Sequence, residues 1–536
     1  MSIARSRLYC CMWHTVSTAR LYHNVINMEK RDYAAAVAAL NTLQSNFSIV
    51  DAIRKSGRGM NQQAMAEMVG WCRKAGYEVQ PSDFDRLRPI HIAGTKGKGS
   101  TSAFISSILS QYRSSRQPSK VGLYTSPHLR FVRERIQINN EPISEALFAQ
   151  YFFDIWDRLE AAAKAEDSSA NAPTKPVYFR YLTLMALHTY LNEGVDSAVI
   201  ECGIGGEFDS TNILTRPTVT AVTSLGIDHT AMLGSTLPEI AWHKAGIFKE
   251  GSVAFTAPQK DEAIAVLRER AAAKGTPLHI IDVHPALAQN EIKLGLGAAF
   301  QKINASVAIA AAAAHLRALG HSSVPDPTTV PHIKLPPEFI RGLEQVRWAG
   351  RCEIRRERNV AWHIDGAHTM ESIEATGQWF AEQTAAATSA STSQPKVPRI
   401  LIFNQQTRDA CALAKTLYAA LQSGVSSTSP FTHVIFTTNQ TFGEGYKPDL
   451  VSMNTNQHDV DTLAVQKALA NTWSGIDSTA EAHVLRTIEE AIGTVRKVAR
   501  NYARNAGADA EVMVLITGSL HLVGGAIEVL ETEKAG

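Results

Sequence analysis

Residues 90–109, IHIAGTKGKGSTSAFISSIL, set glycines, lysines and hydroxyls in the order a phosphate group needs. Gly94, Gly97 and Gly99 lack a Cβ and let the main chain turn tightly against an anion. Lys98 adds a point charge. A helix opening near Ser100 aims unpaired N–H groups and the positive end of its dipole at the same place. The spacing departs from the common nucleotide loop G-x-x-x-x-G-K-[ST], which needs a glycine at Ile92 and a hydroxyl directly after Lys98, where Gly99 stands. A flexible basic turn would use the same residues. The apolar run before the loop, and Phe104, Ile105, Ile108 and Leu109 after it, supply the strand-loop-helix context of a phosphate site.

Three further groups follow apolar runs. Glu201 closes AVIE beside the glycine turn of CGIGGEFDSTN, where it is either a magnesium ligand or a carboxylate satisfying turn amides. Asp228 and His229 follow TAVTSLGI, with His229 either a functional imidazole or a satisfied structural histidine. Lys244, fifteen positions later on an expected helix, is either a solvated or ion-paired lysine or, if buried with a lowered pKa, a reactive amine. In YTSPHLRFVRERIQINNEPIS, residues 124–144, Arg130, Arg133 and Arg135 could fork onto an anionic substrate, or form a solvated edge partnered by Glu134.

These groups require strands to carry them. Apolar strands are expected at Ile90 to Ala93, Val121 to Tyr124, Ser197 to Ile200, Val219 to Ser224 and Ser252 to Thr256, after a helical stretch from about Tyr33 to Val79. The alternation of strands and helices implies a parallel sheet with helices on both faces. A second α/β series has strands at Val360 to Ile364, Ile400 to Phe403, His433 to Thr437 and Val512 to Thr517, with a helix at 369–383. The proline-bearing segment VPHIKLPPEFIRGLEQVRWAG marks the boundary. The expected divisions are a leader over 1–28, a nucleotide-binding domain over 29–340 and a smaller Rossmann-like domain over 341–536. Segments 161–176 and 384–398 read as surface insertions. Ligands of open α/β sheets sit beyond the carboxyl ends of strands, which singles out Asp365, Gly518 and Ser519 in the second series.

The chain has 536 residues, 45% hydrophobic and 19% charged, enough for two or three domains with sizeable cores. A net charge of +2 provides no broad field for nucleic acid. The alanine run 308–314 is too short and too close to His315 and Arg317 to span a membrane. The six cysteines, Cys10, Cys11, Cys72, Cys202, Cys352 and Cys411, form no C-x-x-C pair and no disulfide framework, so a reducing compartment is expected. Before Glu29 there are Arg5, Arg7 and Arg20 but no acid, the composition of a mitochondrial transit segment, and Met28 offers a second start for a cytoplasmic product.

In combination the motifs GTKGKGST, SPHL with RERIQIN, YFRYLTLMALH, IECGIGGEFDSTN, SLGIDHTAMLG and IAWHKAGIFK resemble the folylpolyglutamate synthases, ligases of the Mur type, in their eukaryotic form. The match is near-continuous over residues 88–257. Beyond, it rests on QKINASVAIA, WAGR, HIDGAHT and TGSLHLVGG.

The resemblance implies a P-loop ATPase domain with a Rossmann-like partner. It also implies ATP-dependent joining of L-glutamate to the γ-carboxylate of a folate through an acyl phosphate. By it, Gly97, Lys98, Gly99 and Ser100 would hold ATP phosphates, and Ser126, Glu201 and His229 would ligate Mg²⁺, with Ser100 able to share that duty. Lys244 would be the lysine that can be carbamylated to serve a second metal ion. Asn304, Arg351 and Asp365 would contact ATP, His368 and Ser519 would lie near the incoming glutamate, and Ser126 with Arg133 would border the folate. Lys98, His229 and Lys244 are the expected catalytic set. A monovalent cation such as K⁺ is a further candidate, and a monomer is expected. Dihydrofolate synthase, or an enzyme with both activities, shares this architecture, although SPHL and RERIQIN lean toward the polyglutamylating type. A P-loop ATPase or nucleotide-binding regulator would explain the loop but not the Asp-His and Lys-Ala-Gly-Ile motifs.

Overall fold

The computed structural model describes residues 30–44, 62–114, 117–166, 173–329, 334–389, 397–406, 408–424, 429–443 and 461–532. The expected leader, Met28, Cys10 and Cys11 lie outside them. Two sheets organise the chain.

The first has eight strands: β1 (Ile90–Ala93), β2 (Val121–Tyr124), β3 (Ile136–Ile138), β4 (Glu141–Pro142), β5 (Ser197–Glu201), β6 (Val219–Val222), β7 (Val253–Thr256) and β8 (Leu278–Ile280). Their order is β4-β3-β2-β5-β1-β6-β7-β8. All pairings are parallel except those made by β3 and β4, which form an antiparallel edge. β1 is central and all four of its residues are buried, as expected where helices cover both faces. Ile90 and Ile92 pack with the helices Lys98–Ser110 and Gln301–Ala318, while Ala93, Cys202 and Val222 serve the opposite face. The alanine run sits in the helix Gln301–Ala318, where small side chains let it lie closely along Lys98–Ser110.

The second sheet has β9 (Glu353–Glu357), β10 (Val360–Ile364), β11 (Arg399–Phe403), β12 (His433–Phe436), β13 (Glu481–Val484) and β14 (Val512–Thr517), in the order β13-β12-β11-β14-β10-β9. Only β9 is antiparallel. Both sheets are thus doubly wound, and the chain is a two-sheet α/β protein.

Several expectations shift. The phosphate-loop helix begins at Lys98, two residues before Ser100, because Gly97 at φ 88° ends the turn there. β6 stops at Val222, so His229 lies in a loop beyond the strand. Residues 161–165 are the last turn of the helix Glu145–Ala165, and 384–389 end the helix Met370–Ser389. The parts at 167–172 and 390–396 lie outside the described residues. Lys175 is buried in an ion pair with Glu160, its ammonium 4.5 Å from the centre of the Trp156 ring.

The expected boundary at 340/341 falls inside a helix, Pro337–Gln345. That helix packs on Lys98–Ser110: the Ser107 hydroxyl donates to Gly342 O at 2.7 Å, and Phe339, Leu343 and Val346 join the first domain's core. The chain passes to the second sheet at Gly350. A Cβ on Gly342 would stand 2.7 Å from Ile108 Cα. Gly342→Ala is therefore expected to destabilise by about 1–3 kcal/mol through overpacking. At Gly493, a mid-helix position with nothing within 4 Å, the same change should stabilise by up to ~1 kcal/mol. Urea unfolding of both variants checks the opposite signs.

Candidate active site

The turn after β1 is held in shape from below. The N–H groups of Thr95 and Lys96 both donate to Ser224 O at 3.0 Å, and Thr223 Oγ1 donates to Lys96 O at 2.7 Å. The backbone at Gly94 (φ 149°) passes so near Thr223 that a Cβ there would meet Oγ1 at 1.9 Å, and one on Gly97 would meet Asn304 Oδ1 at 2.1 Å. Asn304 thus lies against the loop. Its amide donates to Gln301 Oε1 at 2.9 Å, and the Gln301 amide donates to the Ser100 hydroxyl at 3.2 Å. Gly97, Lys98, Gly99, Ser100 and Asn304 are therefore one connected group.

Two amines meet at the floor of this turn. Lys98 Nζ donates to Gly94 O at 3.1 Å, and Lys244 Nζ donates to the same oxygen at 2.8 Å. Lys244 is the last residue of the helix Leu237–Lys244, whose start is set by the Thr236–Glu239 capping box. The side chain is 3% exposed, so the solvated reading of this residue does not hold. Burial first, and the neighbouring Lys98 charge second, lower its pKa to about 7.

Glu201 is the buried acid of the site. Its Oε2 accepts the Ser126 N–H at 3.1 Å. Burial raises its pKa, with Lys98, the Ser126 N–H, Arg351 and Arg135 opposing. The neighbouring glycine turn is satisfied by a different carboxylate: Asp209 takes the N–H groups of Ile204 and Thr211 at 2.9 Å each. Glu201 is left facing the phosphate loop, and a Cβ on Gly99 would stand 3.6 Å from its Oε2.

His229, in a left-handed conformation (φ 50°), has a solvent-accessible edge, yet the surrounding protein desolvates it enough to lower its pKa. Asp228 opposes that shift, and Lys98, Lys244 and Arg408 add to it. At Asp228, burial is outweighed by His229, Lys96 and Arg408, which keep the carboxyl below its ordinary range.

The second domain closes over the loop. Lys96 Nζ donates to Thr369 Oγ1 at 2.9 Å, and Arg408 reaches Asp228 at 3.5 Å. Arg351 lies near enough for its charge to act on Glu201. His368 Nδ1 donates to Gly366 O at 2.9 Å, and burial lowers its pKa to about 4, so it is neutral at pH 7. Ser519, 7% exposed, opens the helix Leu520–Thr532, and Gly518 N donates to Ala367 O at 3.0 Å, which brings Ser519 and His368 to adjoining strand ends. Between the sheets lies a cleft of about 1650 Å³, lined among others by Thr125, His128, Lys302, Trp348, Arg351 and Trp379. The loop and Glu201 do not line it themselves. Trp348, whose Nε1 would be 3.4 Å from a Cβ on Gly99, and Arg351 connect the two spaces.

Three expected roles change. Both oxygens of Asp365 are occupied by protein donors, Cys352 N at 2.8 Å and its thiol at 3.4 Å on one, Ala367 N at 3.0 Å and Thr376 Oγ1 at 2.9 Å on the other. It braces the turns carrying Arg351 and His368 and offers no acceptor to a nucleotide. Arg133 bonds Ile143 O at 3.2 Å and stacks on Phe131, whereas Arg135, bonded to His128 at 2.9 Å, is the arginine whose charge reaches Glu201. The short 3-10 helix Val132–Arg135 leading into β3 sets which arginine turns inward. Arg130 pairs with Glu528 and Glu531 of the second domain, and Glu134 accepts the N–H groups of Leu129, Arg130 and Phe131 in place of an arginine. Gln301, Trp348 and Arg408 are additions to the site. Gln301 and Trp348 open the motifs QKINASVAIA and WAGR, and Arg408 follows the end of β11.

The chain is 46% identical over 508 residues to a folylpolyglutamate synthase of Neurospora crassa, covering 94% of this chain and 92% of that protein. It is 44% identical over 530 residues to a probable folylpolyglutamate synthase of Schizosaccharomyces pombe, covering 97% and 99%. The chain belongs to the folylpolyglutamate synthase family. Folylpolyglutamate synthases are ligases that form carbon-nitrogen bonds. No family model matches. The Mycobacterium tuberculosis folylpolyglutamate synthase complexed with ADP shares the fold, with a TM-score of 0.65 at 22% identity over 93% of this chain and 99% of that one. So does the apo form of the L. casei enzyme, with a TM-score of 0.63 at 23% identity over 93% and 100%.

The buried Lys244 generates a stability prediction. Its folded pKa lies below the unfolded value of 10.5, so between about pH 7 and 10.5 the unfolded chain binds the extra proton and stability rises with pH. In buffer free of carbon dioxide, Lys244→Met should stabilise the protein at pH 7 by on the order of 4 kcal/mol at most, and the gain should shrink toward pH 10.5. A gain independent of pH in guanidinium unfolding would contradict the burial account.

Proposed function

We propose that this family member couples ATP cleavage to the γ-linked addition of L-glutamate to folates, with the phosphate loop and Lys98 as the nucleotide grip. The observation that carries this reading is the convergence of Lys98, Lys244 and Glu201 on the Gly94–Ser100 turn beneath side chains of a second domain. The solved relatives named as FPGS–AMPPCP and FPGS–AMPPCP–folate complexes, of the same fold, are consistent with it.

A carboxylate and an amine do not condense at neutral pH, because the acid is ionised and oxide is a poor leaving group. Transfer of the ATP γ-phosphoryl group to the terminal carboxylate of the folate makes an acyl phosphate. During that transfer, Lys98 and the helix N-terminus offset charge developing on the phosphoryl oxygens. The α-amine of glutamate then attacks the acyl carbon, and phosphate leaves with its bonding pair. His368, Ser519 and the adjoining strand ends would hold the carboxylates of that glutamate. Arg351 and Trp348 shield the acyl phosphate from water at the domain junction. Arg135, bonded to the cleft-lining His128, would border the folate.

The donor set fits a magnesium ion. Glu201 is a buried carboxylate with one backbone donor on one oxygen, and the hydroxyls of Ser126 and Ser100 add hard oxygen atoms, with His229 at the rim. When bound, the ion supplies charge neutralisation at the β- and γ-phosphates. Lys244, with its amine pKa near 7, is nucleophilic enough at neutral pH to take up carbon dioxide as a carbamate, releasing one proton. K⁺ remains a candidate to assist. The acid-free, arginine-bearing first 28 residues support delivery to the mitochondrion, and Met28 supports a shorter cytoplasmic product.

With ATP, Mg²⁺, L-glutamate and tetrahydrofolate, ADP release is expected to require both folate and glutamate, and mass spectrometry should show successive glutamate additions. Addition to dihydropteroate alone would replace this reading by dihydrofolate synthesis. Lys98→Ala and His229→Ala should each lower kcat/KM by at least about 10²-fold with the unfolding midpoint unchanged, since neither side chain is in the core. Full turnover in either overturns its assignment.

A further inference from the structure

The far edge of the second sheet gathers three metal-ligand side chains. β12 and β13 run parallel with His433 opposite Glu481, and His483, two residues on, shares the same face. The two imidazole rings are nearly coplanar in orientation, 6° apart, with centroids separated by 5.8 Å. Nε2 of His433 lies 3.5 Å from one oxygen of Glu481, and Nε2 of His483 lies 3.5 Å from the other. Ligand atoms from the three residues all fall within 4.8 Å of one another, the one such group among the described residues.

The hydrogen bonds of Thr432 orient the first of these imidazoles. Thr432 Oγ1 donates its single proton to Arg399 O at 2.9 Å, so toward His433 Nδ1, also at 2.9 Å, it can only accept. Nδ1 therefore holds the proton of neutral His433, and Nε2 presents a lone pair. That lone pair faces a carboxylate oxygen, an acceptor against an acceptor. His483 Nε2 is buried with no hydrogen-bond partner. The His433 and His483 Nε2 atoms and the Glu481 carboxylate thus converge on one point, and an outer hydrogen bond to Thr432 orients the first imidazole, as at metal-bound histidines.

We propose that His433, Glu481 and His483 bind a divalent transition-metal ion of the zinc class, at the amino ends of β12 and β13, remote from the nucleotide cleft at the carboxyl ends. Two imidazole nitrogens and one carboxylate are a zinc donor set, and water completes the tetrahedron. The Glu481 side chain is 66% exposed, so the ion enters directly from solvent. Magnesium, which selects oxygen ligands, is excluded by the imidazoles. Bound there, the ion clamps β13, an edge strand that hydrogen-bonds to β12 on one side only, to its neighbour.

The test uses full-length protein stripped of metal and then titrated with Zn²⁺ in saturating Mg²⁺ and ADP, which occupy the nucleotide cleft. Wild type is compared with the His433→Gln/His483→Gln double variant and with Glu481→Gln. Wild type should retain one more zinc equivalent after gel filtration than the double variant. Its unfolding midpoint should rise with Zn²⁺ where that of the double variant does not. Glu481→Gln, at an exposed position with little risk to folding, should weaken zinc binding at least tenfold. Ligase turnover measured with Mg²⁺ in zinc-free buffer should be unchanged in all three. Equal zinc stoichiometry in wild type and double variant, or equal zinc affinity in wild type and Glu481→Gln where the double variant does not fold, overturns the proposal.

Discussion

Two amines on one carbonyl oxygen form the constraint from which the rest of the site follows. Lys98 and Lys244 both reach Gly94 O, and Lys244 is almost wholly removed from water. Burial disfavours the charged form of Lys244 and the nearby Lys98 charge adds to that, which lowers its pKa to about 7. The buried Glu201 responds to the same field from the other side. A polyanion entering this turn meets a cation that needs a partner, an amine free to react and an acid able to hold a hard metal ion. The glycines at 94 and 97 are part of the same constraint, because Thr223 and Asn304 stand where their side chains would be.

The second domain completes this arrangement through a few polar contacts. Lys96 to Thr369, Arg408 to Asp228 and Arg130 to Glu528 cross the junction, the first two linked by the Lys96–Asp228 ion pair at 3.7 Å. Two of them involve residues within the phosphate loop or beside His229. Any movement of the second sheet is therefore felt at the catalytic turn. Asp365 belongs to this mechanical role. By holding the turns on either side of it, it fixes Arg351 and His368 relative to Glu201.

Much of the framework was legible in the chain because its strands are buried on both faces. Such strands are continuous apolar runs, and β1, β2, β10 and β14 begin and end where hydrophobicity does. Of the strands that escaped notice, β4, β8, β9 and β13 are edges and β3 lies next to one: β9 alternates half-buried and exposed residues, and β13 opens with two exposed residues. Register depends there on the neighbour and not on composition. The segment 337–345 hid a helix for a related reason, since its apolar residues take their meaning only from the helix Lys98–Ser110 that they cover.

The sequence alone determined the local chemistry: a turn that only glycines can make, a lysine beside it, and acids and a histidine placed just after runs that could only be strands. Spacing along the chain is enough for that, because strand ends and loops are short-range properties. Which residue does what was decided by the tertiary structure. Burial made Lys244 an amine of altered acidity, occupied Asp365 with four protein donors and turned Arg135 inward in place of Arg133. Those outcomes depend on the dielectric surroundings and on partners up to hundreds of residues away, quantities that exist only once the two sheets are packed together.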